Sequence, residues 1–285
     1  MKRCTFCLVL ALSVVPVTAR ADILSDYLDS WSARAHEAMN SEPHWIPPIN
    51  TITPRLTQVA RYDQAWQSTG APASIDTFGG GKGVEVIPFS TTSFTFNIPA
   101  YSERSKKGDA SGWLDCPIVV VKERLISAAP QDGDYIVTGY LIAQAPTGSA
   151  AFTNHAWLIT PGLGFGKGWD DFNIEGGITF ALPTAHATAI GTAVTTNLMG
   201  QYHLSKYLWP EVELNDTAWS GGSRRGLNQL FMTVGSVFGN FALIDNYSLG
   251  IGLGYQFALT NHDISAKVLN PVYDHNWILS LRVAY

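Results

Sequence analysis

Along most of this chain apolar side chains recur at every second position, a spacing that puts them on one face of a β-strand and the residues between them on the other. Tyr247, Leu249, Ile251, Leu253, Tyr255, Phe257 and Leu259 alternate with Ser248, Gly250, Gly252, Gly254, Gln256 and Ala258. Phe172, Ile174, Ile178, Phe180 and Leu182 stand against Asn173, Glu175, Gly177 and Thr179, and Trp157, Ile159, Leu163 and Phe165 against Thr160, Gly162, Gly164 and Gly166. The pattern predicts strands near 50–63, 82–89, 91–101, 113–127, 134–146, 155–167, 171–183, 192–205, 207–219, 227–239, 246–260 and 275–285. After Val17 no apolar run reaches the ~18 residues of a membrane helix.

Strands with one apolar and one small or polar face suit an all-β fold in which the apolar face meets lipid. The expectation is a single transmembrane antiparallel up-and-down β-barrel of twelve strands, or ten if the first pair stays out of the wall. Connector lengths agree. If the first strand rises, the rising hairpins carry long links such as 64–81, 102–112 and 261–274, while the falling ones are joined by links as short as Ser90 and Lys206. Outer-membrane barrels have that asymmetry, with short periplasmic turns and long outer loops. The last strand places Trp277, Leu279, Leu281, Val283 and the terminal Tyr285 on one face, which resembles the signal read by the barrel-assembly machinery of the bacterial outer membrane.

Parity assigns side chains to the interior. Glu175, Gln201, His203, Glu211, Glu213, Asn215, Gln256 and Arg282 should point to the lumen, and Arg55 and Arg61, of one parity on the first predicted strand, could partner the glutamates. Facing lipid, an Arg or Lys would cost about 2–4 kcal/mol at the bilayer midplane. Such groups either pair into a seal or line a hydrated path. Lys122, Glu123 and Arg124 interrupt the alternation, so parity leaves their direction open. Trp113, Trp157, Trp169, Trp209, Trp219, Tyr247, Trp277 and Tyr285 fall at strand ends, where aromatic girdles form.

The ends of the chain set its compartment. Lys2 and Arg3 precede an apolar stretch from Cys4 to Val17, and Ala19-Arg20-Ala21 is a small-x-small cleavage site, so residues 1–21 read as a removable secretion signal. Residues 22–48 form an N-terminal helix and proline-rich linker, and 49–285 the barrel. In the helix, Ile23, Leu24, Tyr27, Leu28, Trp31 and Ala35 share one face, before Pro43, Pro47 and Pro48 end it. It could cap the periplasmic mouth, hang loose, enter the lumen as a plug or lie on the membrane.

Composition narrows the partners. Loss of the signal takes Lys2, Arg3 and Arg20 from 18 basic side chains and leaves 15 against 23 acidic ones, a formal charge of −8, which argues against nucleic acid. Cys116 alone remains of the three cysteines, so neither an internal disulfide nor a paired-cysteine zinc site is open to the mature chain. No cofactor is implied. Gly79-Gly80-Gly81-Lys82-Gly83 lacks the rest of a phosphate loop, and Gly162, Gly164 and Gly166 follow strand spacing. His262-Asp263 and Asp274-His275 could meet across one outer loop as a general-base pair, without a nucleophile in supporting context. No catalytic or metal residue is therefore assigned. The partners are outer-membrane lipid, the assembly machinery and a small-molecule solute.

Several phrases resemble the outer-membrane transporter family described as the MetA-pathway of phenol degradation family. They are Pro43-His44-Trp45-Ile46 before Thr53-Pro54-Arg55-Leu56, Gly81-Lys82-Gly83, Gly166-Lys167-Gly168-Trp169, Leu182-Pro183-Thr184, Tyr207-Leu208-Trp209-Pro210-Glu211-Val212-Glu213 and His275-Asn276-Trp277-Ile278-Leu279-Ser280. The resemblance implies a barrel that passively moves small molecules, aromatic or hydrophobic ones among them. It carries over no functional residues. The two rivals are an enzyme at the outer rim and a sealed structural barrel.

Overall fold

The computed structural model describes residues 26–27, 30–68, 74–80, 83–105, 110–244, 246–260 and 273–285. The proposed signal, Ile23, Leu24, Leu28, Gly81, Lys82, His262 and Asp263 lie outside them.

Twelve antiparallel strands close on themselves. They are β1 (Val59–Ser68), β2 (Ser74–Phe78 and Val84–Val86), β3 (Thr92–Phe96 and Tyr101–Ser105), β4 (Ala110–Trp113 and Cys116–Ala128), β5 (Tyr135–Ala145) and β6 (Leu158–Trp169). There follow β7 (Phe172–Pro183), β8 (Thr192–Tyr202), β9 (Leu208–Ser220), β10 (Asn228–Ala242), β11 (Ser248–Ala258) and β12 (His275–Ala284). Each pairs with its sequence neighbours, and β1 closes onto β12 from Val59↔Ala284 to Ser68↔His275. The ten-strand alternative fails, because β1 and β2 are hydrogen-bonded parts of the wall. Both wall ends lie beside the short turns, which makes that end periplasmic. At the other end a short helix α2 (Ala187–Ile190) sits in the loop between β7 and β8.

Two halves of the wall differ. From β5 to β12 the strands are continuous over 10 to 15 residues, whereas β2, β3 and β4 are each broken in the middle. The breaks align, with Asn97 donating to Ile118 and Leu114 to Ala100 across them.

The first strand begins later than the pattern predicts. Residues 50–58 do alternate, but they run inside the barrel, and the first wall strand is Val59–Ser68 instead of 50–63. The second accordingly reaches back to Ser74, into the predicted outer link. Pro54 explains part of this: it has no N–H to give a ladder.

The N-terminal helix α1 (Trp31–Asn40) buries Ala35 and Ala38 against Leu56 and Ile87, with Trp31 and Met39 packed alongside. Arg124 on β4 donates to the Ala38 carbonyl at 2.5 Å, and Ser127 to that of Ser41 at 2.8 Å, so α1 covers the periplasmic mouth.

Candidate functional site

The inside of the barrel holds a piece of its own chain. Residues 42–58 enter from the periplasmic mouth, turn near Asn50 and return to β1 as irregular backbone rich in proline. Such a segment cannot use a sheet ladder, yet its buried N–H and C=O groups must find partners. Charged wall side chains supply them. Glu211 accepts from the Ile49 N–H at 2.8 Å; Glu213 accepts from Asn50 N–H at 2.7 Å, Thr51 N–H at 2.6 Å and the Thr51 hydroxyl at 2.7 Å. Glu85 takes the Thr57 N–H at 3.1 Å and its hydroxyl at 2.8 Å.

The carbonyls of the same segment are held by donors. Arg282 donates to Pro47 and, at 2.9 Å, to Pro48; Arg61 donates to Pro48 at 3.0 Å and to Ile49. These arginines are directly opposite each other on β12 and β1, and the one carbonyl they share, that of Pro48, bridges the two like charges. Lys122 donates to the Arg55 carbonyl and to Glu85, both at 3.0 Å, and Thr138 to that of Pro54 at 2.6 Å. Carboxylates thus grip the plug's amides and cations its carbonyls. Hydrogen bonds to charged groups contribute about 1.5–3 kcal/mol each.

Glycines shape the space. A Cβ on Gly166 would lie 2.4 Å from the Trp45 ring, and one on Gly239 would lie 2.4 Å from Ile46. Gly235, Gly252 and Gly254 make room for Ile49, which packs with Trp209, Val237 and Ile278. Gly166 on β6, Gly235 and Gly239 on β10, and Gly252 and Gly254 on β11 are therefore seats for plug side chains, while Gly164 makes room for Tyr140 of the wall. Trp45 is fixed further by its indole N–H, 3.0 Å from Asp134.

Most predicted lumenal residues lie inside, with roles parity could not show. Glu175, Gln201, Glu211, Glu213, Gln256 and Arg282 are buried there. Gln201 donates to Glu211 at 2.8 Å, and Glu175 has Thr53, Arg55 and Lys122 as polar neighbours. Arg55 belongs to the plug and not to a strand. Its direct ion pair is with Glu42 at 3.3 Å, and it also stands near Glu175 of the wall, whereas Arg61 pairs with Asp63 at 2.8 Å. His203 keeps its inward parity but lies just past the end of β8 at Tyr202, so its exposed imidazole stands at the periplasmic mouth, stacked on Trp209 with centroids 4.8 Å apart. Lys122 and Arg124 point inward and Glu123 outward, where it accepts from Thr92 at 2.5 Å.

Above the plug the interior turns neutral. Asn215 donates to Asn197 at 2.9 Å and accepts from Gln256 at 3.4 Å; Gln256 also meets Thr233, Tyr273 and Asn276. The plug tip touches this amide belt through Asn50, 2.9 Å from the Thr233 hydroxyl. Beside the plug is a cavity of about 180 Å³ lined by Ile52, Val120, Ile142, Arg61, Lys122 and Glu85 among others.

The outer surface is greasy in the middle. Leu141, Phe165, Leu198, Val234, Leu253 and Leu281 are exposed on it, as are Trp113, Trp157, Trp169, Tyr247 and Trp277 toward strand ends. Trp209 and Trp219 do not join this girdle. They share the parity of Glu211 and Glu213; Trp209 packs on the plug, and Trp219 lines an outer cavity. On β12, Trp277 and Leu281 face out while Asn276, Ile278, Ser280 and Arg282 are buried. Tyr285 donates to the Glu85 carbonyl at 3.3 Å. Of the suspected rim pair, His275 also faces out, 2.9 Å from the Tyr255 hydroxyl. Among the described residues no cluster of His, Cys, Asp or Glu could hold a metal.

A closed barrel with an apolar outer band, a polar interior and short turns at the end of both termini defines a bacterial outer-membrane β-barrel. No protein-family model and no curated sequence matches the chain. Solved structures similar to it include the NanC porin, at 8% identity over 79% of this chain and 98% of that one, with a TM-score of 0.49. An outer-membrane channel from Pseudomonas putida F1 is 13% identical over 79% of this chain and 92% of its own, TM-score 0.49. The KdgM porin, solved with oligogalacturonate, is 11% identical over 80% and 99%, TM-score 0.41.

Proposed function

We propose that the protein is an outer-membrane channel for passive movement of small molecules, restricted in its periplasmic half by the N-terminal plug. The observation that carries this reading is how the plug is held: side chains grip it, and no strand pairing ties it into the sheet. A segment held that way can leave while the wall stays intact. The polar belt above it and the cavity of about 180 Å³ beside it offer a hydrated route for a small solute. The phrases that resemble the MetA-pathway of phenol degradation family favour a solute with an aromatic or hydrophobic body. Lumenal Glu211, Glu213, Arg61 and Arg282 hold the plug in place; Asn215 and Gln256 line the route.

Planar-bilayer recording tests the proposal. The full chain should conduct weakly, and a variant lacking residues 30–57 should conduct several times more at equal insertion. The density of the plug's contacts favours a second reading, a sealed structural barrel. An unchanged, near-zero conductance in the deletion variant would decide for that one.

A further inference from the structure

A cavity of about 500 Å³ opens between the outer loops, over the inner faces of β5 to β9. Its walls carry His155, His186, Arg224, Trp219, Leu158 and Ile190, and every titratable side chain lining it is basic. The chain as a whole is acidic, and the cavity of about 460 Å³ at the periplasmic mouth mixes both signs, with Asp134, Asp170 and Asp171 beside Lys206, His44 and His203. The basic character therefore belongs to this vestibule and is not general.

The two histidines are placed at a cost. Each has φ of 54°. Such left-handed backbone is unfavourable for a residue with a Cβ, and glycine takes it freely. The turns need no imidazole, yet from two neighbouring loops both histidines line the same cavity. The Arg224 guanidinium lies over the Trp219 ring, 5.2 Å from its centroid, which sets the plane of a group suited to bidentate pairing with a carboxylate. Leu158, Ile190 and Trp219 supply apolar wall beside it.

We infer that this vestibule binds a small organic monoanion, a carboxylate on an apolar or aromatic body, with Arg224 as the main anion contact, His155 and His186 at its margin, and Leu158 and Ile190 against the body. The size suits one such molecule, since ligand pockets run about 300–1,000 Å³. The inference rests on the channel reading and names the solute class of that channel.

Calorimetric titration of the full chain in detergent tests it, with benzoate, benzyl alcohol and benzylammonium as probes. Benzoate should bind at least tenfold more tightly than either of the others. Arg224→Gln should weaken benzoate at least tenfold, Arg224→Lys should recover part of that loss, and His155→Gly with His186→Gly should weaken it severalfold without straining either turn. Unchanged heat-dependent gel mobility certifies each folded barrel. Equal affinity for benzyl alcohol, preference for benzylammonium, or indifference to Arg224→Gln overturns the site. Conductance of the plug deletion without benzoate preference sinks this inference alone; absent conductance sinks the channel reading, and the titration still judges the site.

Discussion

The lower and upper halves of the lumen are built from the same alternating strands but carry different chemistry. Around the plug stand Glu85, Glu211, Glu213, Arg61, Lys122 and Arg282; above it stand Asn197, Asn215, Gln229, Gln256 and Asn276. Charge is concentrated where irregular backbone has to be satisfied without a ladder, and neutral amides occupy the stretch where water can do that work. Charge around the plug is thus a mark of anchoring, and the stretch directly above it is lined by neutral amides.

Replacing Glu213 should break this division most strongly. Glu213→Leu strands two plug N–H groups and the Thr51 hydroxyl, at roughly 1–3 kcal/mol per unsatisfied buried group. Current bursts in bilayers and faster tryptic cleavage at Arg55, with gel mobility of the barrel unchanged, are the expected outcome. Next comes Arg282→Met, worth about 2 kcal/mol of plug anchoring. Because Arg61 and Arg282 share the Pro48 carbonyl, their combined loss should differ from the sum of the singles, which a double-mutant cycle on plug cleavage reads directly. Gly166→Ala should cost about 1–3 kcal/mol by overpacking, since its methyl group meets the Trp45 ring. Tryptophan fluorescence should report the displaced indole. Asn215→Leu, in the amide belt, should alter solute flux while shifting plug cleavage by less than about 0.5 kcal/mol; loss of the plug in this variant would erase the distinction between the halves.

A separate effect is a dependence on pH. Burial pushes the Glu42 carboxyl up to about 7, further than Arg55, the Leu56 N–H and Arg124 pull it down. The docked plug then holds a proton that the released one gives up between the ordinary value of 4.5 and about 7. This contribution to docking is fully present below that window and lost as pH rises through it. Tryptic release should be faster at pH 8 than at pH 5 after correction for the protease, and Glu42→Gln should flatten the difference.

Much of this was legible in the sequence. Strands β5 to β12 could be read because one face of each is uniformly apolar, and a slip of one residue would turn every side chain around. The inward assignment of Glu175, Glu211, Glu213 and Arg282 follows from the same rhythm. What escaped was the plug's course, because residues 50–58 alternate like a strand while their partners are single side chains scattered from Glu85 to Arg282. The glycine tracks held a clue, as room on a wall implies something to fill it. Trp209 and Trp219 were assigned to the girdle by residue type, although they sit in step with Glu211 and Glu213. His203 kept its parity but lay one residue past the end of its strand.

The plug runs directly into β1, and β1 is zipped to β12, the last strand to be made. Arg282 reaches carbonyls 234 and 235 positions earlier. Contacts so distant along a chain form late and slowly. Closing the cylinder and packing its contents are therefore coupled at the end of assembly: the hoop shuts around its own leading thread.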